Sequence, residues 1–335
     1  MPNHMSLQAG TTQIPHVGAL LEALASSSTQ PLDLQGTGFD PLDLALDGGF
    51  NSEELVLVGG RPGVGKTVMM TQLARTAALA GRRAVYVSYE HSERAMLSRL
   101  LTLELAENSD DLDATMLLTL RRLIRSYCFG STTDEEFRAH HPRLSVSADR
   151  LASLGERLQI VAASHRTTDL EVIIQLASAA LSTGDILLID YLQKIPAPVT
   201  TDRGPTFEVA EVLKDLANEL GVTVVVAAAV TDTGISRGRI RLDHLEGRAA
   251  LAHECDIALI LNEKVKATSP VHLAYDTTRI DEARNQVVMS VEKNRRGPTD
   301  INMEFTKDFA NFRFHPNGSF VSDTLMDDIP SEEHS

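Results

Sequence analysis

The sequence lacks several features that would place it in a particular class of protein. Its 335 residues include only two cysteines, Cys128 and Cys255, which lie far apart and outside any metal-ligand spacing. We therefore expect buried free thiols rather than a disulfide or a metal site. No apolar run is long enough to span a bilayer, and the N-terminal segment has no basic region followed by an apolar one. These absences predict a cytoplasmic protein with no membrane partner.

An excess of positive charge is also missing. The chain has 31 Lys and Arg against 46 Asp and Glu, which is a formal net charge of −15. Proteins that coat nucleic acid need exposed Lys and Arg to neutralise phosphates, so the composition as a whole does not favour that class. Part of the acidic excess lies in the C-terminal segment 317–335, which contains no Lys or Arg. We expect this tail to be disordered and interpret it as an ordinary solubilising tail, with a docking segment for a protein partner as the alternative.

One stretch, LVLVGGRPGVGKT at 55–67, is rich in chemical information. An apolar strand runs into the spacing Gly-x-x-x-x-Gly-Lys-Thr, and a helical pattern follows, which is the context required of a P-loop. The backbone N–H groups of such a loop surround nucleotide phosphates, Lys66 reaches the β- and γ-phosphates, and Thr67 offers its hydroxyl to Mg²⁺. The predicted nucleotide-binding residues are Gly60, Arg61, Pro62, Gly63, Val64, Gly65, Lys66 and Thr67.

From residue 36 onward, short apolar segments alternate with helical patterns. This alternation predicts an α/β fold in which a mostly parallel sheet is covered by helices on both faces. The last three predicted strands, 286–292, 301–305 and 311–314, follow one another without helices, so we expect an antiparallel C-terminal edge. Between 106 and 156 the alternation is interrupted by a predicted helical insertion, whose basic face we interpret as a solvated helix surface.

Two acidic residues follow predicted strands at the edge of the sheet where the P-loop lies. Asp190 ends the buried strand 186–190 and is the candidate carboxylate for the Mg²⁺ shell. Glu90 follows the strand 84–89, where a carboxylate can orient or deprotonate an attacking water. The alternative is that Glu90 only favours the positive end of the helix that follows it.

A cluster of cations follows the strand 286–292 and includes Lys293 and Arg295. Two interpretations fit the spacing equally well. The cations belong to a solvated turn, or one of them reaches across an interface and neutralises charge on a neighbour's γ-phosphate.

Several segments between residues 37 and 314 occur in the same order as in a known protein family. In this sequence they read TGFDPLDLALDGGF, GRPGVGKT, VYVSYE, SERAMLSRLL, ILLIDYLQ, LANELGVTVVV, HECDIALIL and EKNRRGPT. With these segments the chain resembles the ATPase domain of DnaB-family replicative helicases, in the RecA-like branch of P-loop proteins. The resemblance implies a RecA-like ATPase domain at 36–316, with an N-terminal arm at 1–35 and the acidic tail at 317–335.

The resemblance also implies roles for particular residues. Glu90 corresponds to the catalytic base, Asp190 to the acid that supports Mg²⁺, and Lys293 with Arg295 to the finger that acts in trans on ATP. The family works as a homo-hexameric ring with ATP between subunits and single-stranded DNA in the channel. The apolar pattern between Ile14 and Leu24 fits a helix that docks on the next subunit, or a helix that packs on its own domain.

The sequence departs from the family after the strand that follows Asp190. Ala229 stands where the family has a glutamine that senses the nucleotide and couples it to DNA, and alanine has no side-chain hydrogen bond to offer. The loop 233–248 corresponds to a DNA-facing loop but has no aromatic residue for base stacking. Its predicted phosphate contacts are Arg237, Arg239, Arg241 and Arg248.

Two functions remain open at the level of sequence. The first is an oligomeric ATPase motor that acts on single-stranded DNA in the manner of a helicase. The second is a RecA-like regulatory or assembly ATPase that uses ATP as a switch for oligomerisation or partner binding. Both require ATP and Mg²⁺, and both use Lys66, Thr67, Glu90 and Asp190.

Overall fold

A computed structural model of the chain describes residues 34–109, 111–196, 204–235, 238–268, 277–322 and 325–326, together with residues 17, 18 and 22. Most of the predicted N-terminal arm and part of the acidic tail therefore lie outside the described residues. Within these ranges, no helix has both the length and the apolarity that are needed to cross a membrane.

Helices and strands alternate along most of the chain. The strands are β1 (Leu55–Gly60), β2 (Ala84–Ser88), β3 (Leu158–Ala162), β4 (Ile186–Asp190), β5 (Thr223–Ala228), β6 (Ile257–Glu263), β7 (Gln286–Asn294), β8 (Ile301–Asp308), β9 (Arg313–Phe314) and β10 (Ser319–Phe320). The helices are α1 (Asp40–Ala45), α2 (Lys66–Leu79), α3 (Glu93–Ala106), α4 (Ala114–Cys128), α5 (Asp134–His140), α6 (Pro142–Leu154), α7 (Leu170–Ala180), α8 (Pro205–Leu220), α9 (Asp232–Ile235), α10 (Arg248–Glu254), α11 (Lys264–Ala267) and α12 (Thr277–Arg284).

All ten of these strands join one sheet, in the order β10-β8-β7-β6-β1-β5-β4-β2-β3, with β9 paired to β8. The neighbouring strands β6, β1, β5, β4, β2 and β3 pair in parallel. The strands β7, β8, β9 and β10 pair antiparallel. The predicted α/β fold with a mostly parallel sheet and an antiparallel C-terminal edge is therefore confirmed.

The central strands are buried on both sides. Strands β1, β4 and β5 consist of buried residues throughout, because helices cover both faces of this part of the sheet. Two separate apolar clusters result: one contains α2 residues such as Met69, and the other contains α8 residues such as Leu213. This packing places the carboxyl ends of β1, β2 and β4 along one edge of the sheet, where open α/β sheets bind ligands.

Helices α4, α5 and α6 occupy most of the predicted insertion at 106–156. They build a small apolar cluster of their own, in which Phe137 and Ile124 are fully buried against Leu101 and Leu105 of α3. The basic residues of α4 are largely on the outside, and Arg122 and Arg125 are exposed. The insertion is thus anchored to the sheet through α3, the helix that follows Glu90.

The C-terminal segment differs from the prediction of disorder from residue 317. Ser319 and Phe320 pair with β8, and Leu325 is buried against Val288 and Ala267. The apolar residues Phe320 and Leu325 interrupt the acidic pattern, which explains why the composition of the tail as a whole was a poor guide to its first part.

Candidate active site

The P-loop joins the end of β1 to the start of α2. Gly65 adopts a left-handed backbone conformation with φ 111°, and a Cβ atom there would overlap the rings of Phe309 and Phe314. Gly60 has φ 149°, and its Cβ would lie 2.7 Å from the carbonyl oxygen of Leu261. Glycine is therefore required at both ends of the loop, by conformation and by space. The loop leads into the N-terminus of a long helix, which favours phosphate binding.

Lys66 lies folded against the loop that precedes it. Its Nζ donates hydrogen bonds to the carbonyl oxygens of Gly60, at 2.7 Å, and Arg61, at 3.0 Å. Burial lowers the pKa of Lys66, while the nearby carboxylates of Asp190 and Glu90 favour its charged form. A positive charge held in a partly desolvated loop is suited to the terminal phosphates of a nucleotide.

Asp190 and Thr67 bring two oxygen ligands together. The Thr67 hydroxyl donates to Asp190 Oδ2 at 2.7 Å, and the hydroxyl of Tyr86 donates to the same oxygen at 3.0 Å. Asp190 is only 1% exposed. A buried carboxylate and a hydroxyl next to a phosphate-binding loop are the oxygen donors that Mg²⁺ prefers, and they fit this ion. Thr67 and Asp190 would hold it, as the sequence predicts.

Glu90 lies two residues beyond the end of β2 and faces the same space. It lines a cavity of about 370 Å³ together with Lys66, Thr67 and Asp190, so the structure brings these predicted residues together. Burial and the charge of Asp190 raise the pKa of Glu90, while Lys66, Lys194 and Arg99 oppose this shift. A carboxylate with a raised pKa beside the P-loop has the basicity that suits a general base.

Arg99 and Phe312 are among the side chains of the cavity that sequence reasoning missed. Arg99 projects from α3 into the cavity wall, and its guanidinium lies 5.0 Å from the ring centre of Phe312. Phe312 lies after β8 and lines the same cavity. Neither residue belongs to the P-loop pattern, and their approach depends on the packing of α3 against the end of β8. Only the helical spacing of α3 could have indicated which way Arg99 points.

The end of β5 is connected to the following loop by Gln193. Its Oε1 accepts a hydrogen bond from the N–H of Ala229 at 3.0 Å, and its Nε2 donates to the Glu246 carbonyl oxygen at 3.1 Å. The N–H of Glu246 in turn donates to the carbonyl oxygen of Ala229 at 3.0 Å. Ala229 lines the nucleotide cavity. The strand end and the loop are therefore linked through the backbone of Ala229, although its side chain has no polar group.

The loop arginines do not form one exposed surface. Arg239 is 2% exposed and donates to Ser290 Oγ at 3.1 Å and Asn302 Oδ1 at 2.7 Å. This burial contradicts the predicted contact of Arg239 with DNA phosphates, because polar residues on β7 and β8 hold the guanidinium inside the protein. Arg241 forms ion pairs with Glu292 and Asp300, each at 2.9 Å. Arg248 is exposed, and Arg237 lies outside the described residues.

Lys293 and Arg295 lie toward the ends of the strands that are opposite to the P-loop. Lys293 pairs with Ala258, which in turn lies beside Leu57 of β1. The backbone N–H of Arg295 donates to the Asp256 carbonyl oxygen at 3.0 Å. The N–H of Asp256 in turn donates to the carbonyl oxygen of Leu55, the first residue of β1. The P-loop leaves the sheet at the opposite end of β1, about 17 Å further along at the usual rise of a strand. Within one chain, the P-loop and these two cations are therefore far apart.

A family model for the DnaB-like helicase C terminal domain matches residues 35–314. The chain belongs to this family. The predicted resemblance is confirmed, and the P-loop site is accordingly that of an ATP hydrolase of the DnaB-like type.

Individual relatives agree with the family model. The replicative DNA helicase DnaB of Geobacillus stearothermophilus is 25% identical over 284 residues, which cover 82% of this chain and 55% of the helicase. DNA repair protein RadA of Mycobacterium tuberculosis is 40% identical over 79 residues, which cover 23% of this chain and 16% of RadA. The chain therefore spans less than two thirds of the length of these relatives. The solved structure of a DnaB-like replicative helicase superposes with a TM-score of 0.65 at 18% identity, over 90% of this chain and 68% of that one, which shows a common fold.

The environment of Glu90 predicts how hydrolysis depends on pH. Glu90 accepts a proton only when it is ionised, and its pKa is raised by burial and by Asp190. As the pH is lowered, ATP hydrolysis should therefore begin to fall at a pH above the pKa of an ordinary glutamate. The positive charge of Lys194 opposes the shift, so Lys194→Ala should move the acid limb of kcat/KM to higher pH by about a few tenths of a unit at low salt.

The measurement is the pH profile of ATP hydrolysis for both proteins, at low and high salt. Lys266→Ala is the matched control, because Lys266 is also largely exposed but pairs with Glu263 instead. An acid limb that Lys194→Ala moves to lower pH would show that Glu90 is not the group that titrates.

Proposed function

We propose that the chain is a Mg²⁺-dependent ATPase that assembles into a homo-oligomeric ring, of the hexameric type, and acts on single-stranded DNA as a helicase-like motor. The observation that supports this most strongly is the separation of the P-loop from Lys293 and Arg295 along the sheet. A chain that carries both halves of a phosphoryl-transfer site at different ends completes the site by head-to-tail contact with copies of itself.

Within one chain, the residues near the P-loop prepare the nucleotide for hydrolysis. The loop backbone and Lys66 bind the phosphates, and Glu90 accepts a proton from the water that attacks the γ-phosphate. Thr67 and Asp190 would hold Mg²⁺, which would neutralise negative charge on the phosphates when bound. The buried Tyr86 hydroxyl fixes the orientation of Asp190 through its hydrogen bond at 3.0 Å. Lys293 and Arg295 of a neighbouring copy would then stabilise the charge that develops in the transition state.

The similarity to DnaB replicative helicases supports single-stranded DNA as the partner. Arg248 is exposed at the start of α10 and is the last residue of the loop that the resemblance places toward DNA. Hydrogen bonds of Gln193 to Glu246 and Ala229 connect this loop to the nucleotide cavity. Because of this connection, binding of DNA to the loop should alter the cavity.

The test is the steady-state rate of ATP hydrolysis with and without single-stranded DNA, with Lys66→Ala as the blank. We expect DNA to accelerate turnover, and Gln193→Ala to reduce that acceleration more than the basal rate. The proposal of a DNA motor fails if DNA changes neither the rate nor the oligomeric state.

The replacement of the coupling glutamine by Ala229 favours a second candidate function. In this alternative the same site works as a RecA-like regulatory or assembly ATPase, and ATP controls oligomerisation or the binding of a protein partner through the N-terminal arm or the acidic tail. It predicts ATP-dependent assembly, observed by sedimentation, together with a turnover rate that is indifferent to DNA.

A further inference from the structure

Asp256 is a buried carboxylate that the mechanism above does not use. It lies between α10 and β6 and is 6% exposed. Its Oδ2 accepts the backbone N–H of Leu55 and the ammonium of Lys214, each at 2.8 Å. Its Oδ1 accepts a hydrogen bond from the guanidinium of Arg295 at 3.1 Å. One carboxylate oxygen of Asp256 is therefore bound to the body of the fold, and the other is directed to a cation of the proposed finger.

The contacts of Oδ2 fix the carboxylate in place. Leu55 is the first residue of the central strand β1, and Lys214 lies on α8. The Lys214 ammonium also donates to the carbonyl oxygen of Glu53 at 2.7 Å, so it is itself held at the start of the same strand. A carboxylate that a strand and a helix hold in one orientation is suited to restrict the side chain that meets its second oxygen.

Arg295 is anchored within its own chain but remains accessible. Its Nη1 donates to Asp256, and its Nη2 donates to the carbonyl oxygen of His253, near the end of α10. The Arg295 side chain is nevertheless 48% exposed. These two contacts use two of the five N–H donors of a guanidinium. Part of the group is thus held by the chain, while an exposed part can meet a phosphate of another copy.

Anchoring of this kind affects the efficiency of a finger. A long exposed side chain samples many rotamers, and fixing it in one of them for the transition state costs free energy. If the side chain is already ordered in the isolated chain, less free energy is lost when the neighbouring site reacts. The contact with Asp256 supplies such order to Arg295 before any assembly takes place.

We propose that Asp256 is a positioning residue for hydrolysis at the neighbouring site, where it orients the Arg295 guanidinium toward the γ-phosphate that the next copy holds. This inference rests on the proposed ring, in which Arg295 acts in trans. Asp256 acts through Arg295 and contacts neither the nucleotide nor the P-loop of its own chain. Its effect should therefore appear in the turnover of the neighbour's site.

The test uses Asp256→Asn, which keeps the shape and one acceptor oxygen but removes the charge. Two inactive proteins are mixed: Arg295→Ala, which keeps its P-loop, and Lys66→Ala, which keeps its finger. Complete sites in the joint ring combine the P-loop of the first with the finger of the second. Asp256→Asn is introduced into one of the two chains at a time, and ATP hydrolysis is measured in mixtures shown by sedimentation to form joint oligomers.

The expected effect depends on which chain carries the substitution. In the Lys66→Ala chain, Asp256→Asn should lower the kcat of the recovered hydrolysis by about threefold to tenfold, the effect of releasing one long side chain. The KM for ATP should not change, because the P-loop belongs to the other chain. In the Arg295→Ala chain there is no guanidinium to position, so the same substitution should leave the recovered hydrolysis unchanged.

Asp185→Asn is the matched control. Asp185 is 7% exposed, directly precedes β4, and accepts the backbone N–H of Arg83 at 2.8 Å, so it is also a buried carboxylate near the start of a central strand. A loss that comes from a weakened fold should be the same whichever chain carries the substitution, and Asp185→Asn measures that loss.

Three results would overturn the proposal: an equal loss from Asp256→Asn in both chains, no loss in either, or a faster recovered turnover. If Asp256→Asn unfolds, Asp256→Glu takes its place, because it keeps the charge but moves the carboxylate, and the same comparison between the two chains decides. A mixture without any change at Asp256 that recovers no hydrolysis would instead contradict the shared site, and this inference with it.

Discussion

Replacement of Arg295 by alanine is expected to lower ATP turnover by about 10³ to 10⁵, the effect of removing an arginine finger. Nucleotide binding to the P-loop should remain, because Arg295 lies beside the first residue of β1 rather than near Lys66. The loss should therefore appear in kcat, measured at saturating ATP.

The fold should tolerate this substitution. Arg295 pairs with Asp256 at 3.1 Å, but the same carboxylate also pairs with Lys214 and accepts the N–H of Leu55, each at 2.8 Å. Asp256 would thus keep two partners after the guanidinium is removed, which limits the cost of an unpaired buried charge. Arg284→Ala is a matched control, because Arg284 is exposed and forms a local ion pair with Asp281. A fully active Arg295→Ala protein would remove Arg295 from the catalytic site.

Replacement of Lys66 by alanine is expected to abolish measurable ATP hydrolysis. The Lys66 ammonium is the cation of the P-loop that reaches the phosphates, and loss of one such group typically costs about 10² to 10³ in rate, with a further loss in binding. Among the residues that the structure describes, the Lys66 ammonium donates hydrogen bonds to loop carbonyl oxygens alone, so the fold should be little affected.

Thermal unfolding with and without ATP provides the corresponding binding measurement. ATP should raise the melting temperature of the wild-type chain and have little effect on Lys66→Ala, since a ligand stabilises only the protein that binds it. If ATP stabilises Lys66→Ala as strongly as the wild type, the phosphates are bound elsewhere than predicted.

The parts of the fold that could be predicted from the sequence are those set by local pattern. The strand 186–190 has the predicted bounds, because a run of apolar residues ending in an acid leaves little choice of length. The helix that the pattern predicts after the P-loop is also present, as α2.

The parts of the site that could not be predicted depend on tertiary packing. Arg239 is buried because Ser290 and Asn302 come together across β7 and β8, a pairing that no local pattern shows. Arg99 enters the cavity because α3 packs beside the turn that contains Phe312. The sequence of each segment alone is compatible with an exposed arginine. Residues that lie far apart in the chain thus determine which cations meet the nucleotide and which are held inside the protein.

The measurement that tests the shared site most directly is a mixing experiment with two inactive variants. Arg295→Ala retains an intact P-loop, and Lys66→Ala retains an intact Lys293 and Arg295. If ATP is hydrolysed between copies, a ring that contains both variants has some complete sites, about a quarter of all interfaces when equal amounts mix at random. Mixing should then restore ATP hydrolysis that neither protein shows alone. Absence of any recovery, in a mixture shown by sedimentation to form joint oligomers, would contradict a site completed by a neighbouring chain.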